Sequence, residues 1–110
     1  MAYNEKLAGS IRKALADLPV EEKKMFGHLA FMVNGKMCLN AGSDSMMCRI
    51  DPVLHERELK KEGCQAVVMG GREYKGYIRV ADKNLKNEKD FGYWLELALE
   101  FNRELTSRQD

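Results

Sequence analysis

Asn34-Gly35 separates two apolar runs, Leu29 to Val33 and Met37 to Leu39. Asn and Gly tolerate the positive φ angles that a two-residue type I′ turn requires, and such a pair between apolar segments is the strongest short-range hairpin signal. The chain is thereby committed to an antiparallel hairpin. Its first strand is expected to be long, taking in Met25 as well as Val33, with Gly27-His28 as a bulge or bend inside it. Ala41 to Asp44 then forms a loop, and Ser45 to Ile50 a third strand.

Helices are expected on either side. Leu7, Ile11, Leu15 and Leu18 fall on one stripe of a helix over residues 3 to 18, which Pro19 ends because it lacks the N–H and disfavours helix in the residue before it. Asp51-Pro52 reads as a helix start, with Asp as cap and proline in the first position, and Gly63 as its terminator. Gln65 to Met69 and Tyr74 to Ala81 read as strands around Gly70-Gly71. Asn87 caps a last helix that runs to about Leu105. The apolar face of that helix, from Phe91 to Leu105, is wide enough to lie across a sheet or against a second chain. The order α-β-β-β-α-β-β-α, with hairpin connections, predicts an α+β two-layer sandwich on a mainly antiparallel sheet.

At 110 residues the chain has the size of one domain, 1–110, and 45% hydrophobic against 32% charged residues is a globular balance. A formal charge of +1 gives no global field toward nucleic acid or an anionic membrane. No apolar run approaches the roughly 20 residues of a membrane span, and the N-terminus lacks a signal-peptide pattern, so a cytoplasmic protein is expected. Cys38, Cys48 and Cys64 are odd in number and irregularly spaced, which fits packed thiols better than a disulfide frame or zinc site.

The chemistry-bearing residues assemble no recognisable active site. His28 reads as a histidine at the bend, His55 as a solvent-facing helix residue, and neither stands in a nucleophile context. Glu21, Glu22, Glu56, Glu58 and Glu62 read as solvated surface. Met69 to Gly76 lacks the spacing of a phosphate loop and joins two strands. No catalytic residue, cofactor or metal is expected. Two features suggest contact instead. Arg49, Arg72, Lys75 and Arg79, interleaved with Tyr74 and Tyr77, could form a basic and aromatic surface. Met25, Met32, Met37, Met46, Met47 and Met69 concentrate in the strand region, where filling an irregular core is the simpler role and lining an adaptable groove the other.

The stretch Lys23-Lys-Met-Phe-Gly-His-Leu-Ala-Phe-Met-Val-Asn-Gly-Lys-Met37 resembles the signature of the TfoX/Sxy family, in its N-terminal domain. The opening Met1 to Leu7, the segment Met47 to Pro52, the segment Gly71 to Val80 and the Trp94 helix are similar to the family as well, in the same order. The resemblance implies a regulator of natural competence that acts with the cyclic-AMP receptor protein on transcription, and not an enzyme. Full-length members carry a second, C-terminal domain for which 110 residues leave no room. The matched positions Met25, Phe26, Gly27, Asn34, Gly35, Gly71 and Gly76 have structural readings, and Arg72 and Lys75 are the contact groups among the matched positions. His28 departs from a second Gly usual in the family, which leaves the bend to Gly27.

The expectation is therefore a non-enzymatic module that contacts a protein partner, such as the transcription machinery or a transcription regulator. Arg49, Arg72, Lys75, Tyr77 and Arg79 are the candidate contacts, and a homodimer through the sheet or the last helix is expected. Direct nucleic-acid binding through the same basic residues is the alternative. A small-molecule or metal-dependent enzyme has the least support.

Overall fold

The computed structural model describes residues 3–25 and 27–107. Helix α1 (Glu5–Ala14) leads into strands β1 (Val20–Met25), β2 (His28–Val33), β3 (Lys36–Ala41) and β4 (Ser45–Arg49). A 3-10 turn at Pro52–Leu54 opens the short helix α2 (His55–Leu59). Strands β5 (Cys64–Met69) and β6 (Arg72–Ala81) follow, then the long helix α3 (Glu88–Ser107). The α+β sandwich is as expected, with one strand more.

That strand is β1. Its residues, Val-Glu-Glu-Lys-Lys-Met, carry no apolar alternation, and they become a strand because they pair along β2 at the sheet's edge. Gly27 takes φ +83°, and Met25 lies opposite His28, so this point reverses the chain as a hairpin and is not a bend within one long strand. Phe26 lies outside the described residues. At the second hairpin Asn34 has φ 54° and Gly35 φ 81°, the two positive angles of a type I′ turn.

The caps follow the sequence. The Leu7 N–H donates to Asn4 Oδ1 at 3.0 Å, the Val53 N–H to Asp51 Oδ1 at 3.0 Å and the Asp90 N–H to Asn87 Oδ1 at 2.9 Å. Each satisfies a first-turn donor that a helix leaves unpaired. Helix α1 stops at Ala14, earlier than expected, and Leu18 is exposed.

All strand pairs are antiparallel, in the order β1-β2-β3-β4-β6-β5. Register then sorts the side chains into two faces. One row, Phe31, Leu39, Cys48 and Ile78, and its neighbour, Leu29, Ala41, Met46 and Val80, form the core with Leu7 and Ile11 of α1, Leu15 just beyond it, and Trp94, Leu95 and Ala98 of α3. The row between them, Lys23, Ala30, Asn40, Met47, Arg79 and Gln65, crosses the other face. No helix among the described residues is long and apolar enough to cross a membrane.

Candidate functional site

The helix-free face of the sheet is hollowed into a groove of about 230 Å³. Met25 from the first hairpin, Met47 from β4, and Val67 and Met69 from β5 form its apolar walls. Two irregularities interrupt the sheet. Cys38 is the extra residue where β2–β3 register shifts, and Gly76 sits where β6 departs from regular pairing with β5. Such bulges bend a strand and increase its twist.

Four polar side chains border the groove: His28, Asn40, Ser45 and Arg79. Gly42 makes room for the first, since a Cβ there would stand 3.2 Å from His28 Nδ1. Asn40 is 7% exposed, and its Oδ1 is buried without a hydrogen-bond partner. The Arg79 side chain is half-buried and makes no ion pair or hydrogen bond among the described residues. A buried acceptor without a partner is costly in a protein that keeps it for packing alone.

The methionines resolve against the simpler role. Met46 is fully buried in the core, whereas Met47, Met32 and Met37 are half-buried and Met25 and Met69 are 42% and 55% exposed. Alternation puts Met25, Met32, Met37 and Met47 on the helix-free side, with Met69 at the groove wall.

The expected basic surface is divided. Arg49 pairs with Tyr77 across β4–β6, and its guanidinium lies 5.6 Å from the Tyr77 ring centre and 5.9 Å from that of Phe101 on α3. Arg79 stands one row away in the groove, and Arg72 is exposed at the β5–β6 turn, where Gly70 and Gly71 have positive φ. Lys75 is drawn aside into an ion pair with Glu56, 4.0 Å from Glu73, and the Glu56 carboxyl is held below its ordinary value by that hydrogen bond. No continuous track of cations results.

His55 and Glu58, read from the sequence as solvated, are fully buried. A five-residue helix gives no sign of what folds over it, and here β6 and α3 do. The Gly76 N–H donates to His55 Nδ1 at 3.0 Å, and His55 Nε2 meets Glu73 at 2.7 Å. The imidazole is thereby a neutral Nε2–H tautomer. Glu58 receives Arg57 at 2.7 Å and the Tyr93 hydroxyl at 2.7 Å. Burial, and then the bond to Glu58, push the Tyr93 phenol up.

His55, Glu56 and Glu73 offer ligand atoms within 4.8 Å of one another. A metal on Nε2 would require the proton on Nδ1, where a backbone donor already points, and the Lys75 ammonium supplies the cation beside both carboxylates. The cluster fits a latch between α2 and β6 and not a metal. Burial pushes the Cys38 thiol up to about 12 and Cys64 to about 11, and Cys48 also rises, so none is a thiolate at neutral pH.

Residues 13–102 match the family model of the TfoX N-terminal domain. The chain belongs to that family. The match runs from the end of α1 through Asn102, taking in all six strands and the signature hairpins. No match was found among curated proteins or among solved structures. Within the TfoX N-terminal domain, Gly76 has a clear task. It takes φ +87°, and a Cβ would stand 2.9 Å from the Ile50 carbonyl oxygen. The breadth of α3 is likewise used inside the domain, where Phe91, Leu97 and Leu99 pack partly against the core.

Proposed function

We propose that this domain is a non-enzymatic interaction module that modulates transcription or a related process by contacting another protein with the helix-free face of its sheet. One observation carries the reading: five methionines that core packing does not bury stand on or beside that face, three of them lining a preformed groove. Thioether side chains adapt to varied apolar partners, and a surface rich in them is suited to docking. Membership of the TfoX N-terminal domain family supports a regulatory role. Photo-methionine incorporated in the native cell tests it. Cross-links to a protein from Met25, Met47 or Met69 are expected, and cross-links confined to other positions would overturn the reading.

The homodimer belongs, in this proposal, to the β5 edge. Strand β1 protects its edge with Glu21, Glu22, Lys23 and Lys24, whereas β5 carries no charge and exposes Val68 at 58%. An uncharged edge strand is a template for pairing with a second copy. Sedimentation of the wild type as a dimer and of Val68→Lys as a monomer is expected, and a strict wild-type monomer removes this part.

A further inference from the structure

We infer that the groove receives an acidic peptide segment of a partner protein, with one large apolar side chain in the cavity and a neighbouring carboxylate on Arg79. This deepens the docking role proposed above and rests on it.

Size decides first. Clefts that bury drug-sized molecules measure roughly 300–1,000 Å³, and this one, at about 230 Å³, is too small for a nucleotide or a common cofactor. It suits a single anchor side chain, which Met25, Met47 and Met69 can close around.

The polar groups choose the partner's chemistry. Arg79 presents a planar fork of donors that no described residue engages, at the rim of an apolar cavity. A carboxylate matches that fork in a bidentate bond. Asn40 holds a buried Oδ1 that lacks a donor, and a peptide N–H supplies one when the side chain turns toward it. Asn40, Met47 and Arg79 occupy successive strands of one row. The two polar groups are thus two strand spacings apart, roughly 9–10 Å, the reach of about three extended residues. A short peptide laid across the strands offers an N–H to Asn40, an apolar side chain over Met47 and a carboxylate to Arg79.

Charge separates this occupant from others. The central rows of the face carry Lys23 and Arg79 against Glu21. A second copy would bring like charges together, and an isologous contact repeats that repulsion. Nucleic acid would engage the cations and leave the apolar cavity unused.

Panning a phage library of random dodecapeptides on the folded domain tests the inference. Peptides with Asp or Glu beside Leu, Ile, Met or Phe are expected, absent from a parallel selection on Arg79→Gln. A synthetic selected peptide should shift the backbone NMR signals of Asn40, Met47 and Arg79 and lose roughly tenfold or more in affinity to Arg79→Gln, as a charge-assisted bond requires. Unchanged NMR signals elsewhere in Arg79→Gln verify its fold. Enrichment without acidic residues, equal recovery on both proteins, or no enrichment would overturn the inference. So would stronger shifts of these signals by duplex DNA, or by raising the protein concentration alone. Cellular cross-links from Met47 with no acidic selection would leave the docking role standing and remove only the acidic peptide.

Discussion

Asn102, on the last helix, donates a hydrogen bond of 3.0 Å from its side chain to the backbone carbonyl of Val33. It also accepts one of 3.4 Å from the Asn34 side chain, and the Asn34 N–H reaches the Pro19 carbonyl at 3.1 Å. The type I′ turn is therefore tied to two distant parts of the chain. Asn102→Ala leaves the Val33 carbonyl and the Asn34 amide without these partners. A loss of about 1–3 kcal/mol is expected, the cost of a buried polar group left unpaired. Urea unfolding of the two proteins measures it, and an unchanged midpoint would show that the tie contributes nothing.

Gly76 and Gly71 both hold positive φ, at +87° and +75°, but only Gly76 is crowded. Alanine at Gly71 meets nothing within 4 Å and bears only backbone strain, about 1 kcal/mol. Alanine at Gly76 adds a contact of 2.9 Å with the Ile50 oxygen and displaces the N–H that fixes His55. Gly76→Ala is expected to cost about 2–4 kcal/mol. Equal costs for the two variants in thermal melts would remove the close approach as the reason for this glycine.

How much of this was visible beforehand depends on how local each signal is. Asn34-Gly35, Asp51-Pro52 and Asn87 act on the backbone within a few residues, so turn and caps are legible in the sequence. Strand β1 is not legible in the sequence because Glu21 to Lys24 take their conformation from pairing with β2 and carry no apolar period of their own. Met46 and Met47 look alike in sequence. Only register shows that one fills the core and the other lines the groove. The sequence offers Lys75 as a contact residue, and its capture by Glu56, 19 residues away, depends on where α2 docks.

Oxidation distinguishes those methionines directly. Met25 and Met69, at 42% and 55% exposure, are expected to form sulfoxides under mild peroxide several times faster than Met46, at 0%. Peptide mass spectrometry after a short pulse reads the order. Similar rates at all three positions would contradict the assignment of faces.

Alkaline pH should weaken the fold through its thiols. Burial raises Cys38 from 9.0 to about 12, and Arg49 and Arg103 only partly offset that rise. A group whose value is higher in the folded state stabilises fully below its unfolded value, and the contribution is lost as pH climbs through the folded one. The Cys38 contribution is thus intact below pH 9.0 and declines toward pH 12, by up to about 1.4 kcal/mol per pH step. Cys48, also raised by burial, adds to the decline, as does Cys64 up to about 11. The comparison is with Cys38→Ala, in which every other ionisable group is unchanged. Urea midpoints above pH 9.0 are expected to fall less steeply for the variant than for the wild type. Parallel slopes would mean that the Cys38 thiol ionises as easily in the folded chain as in the unfolded one.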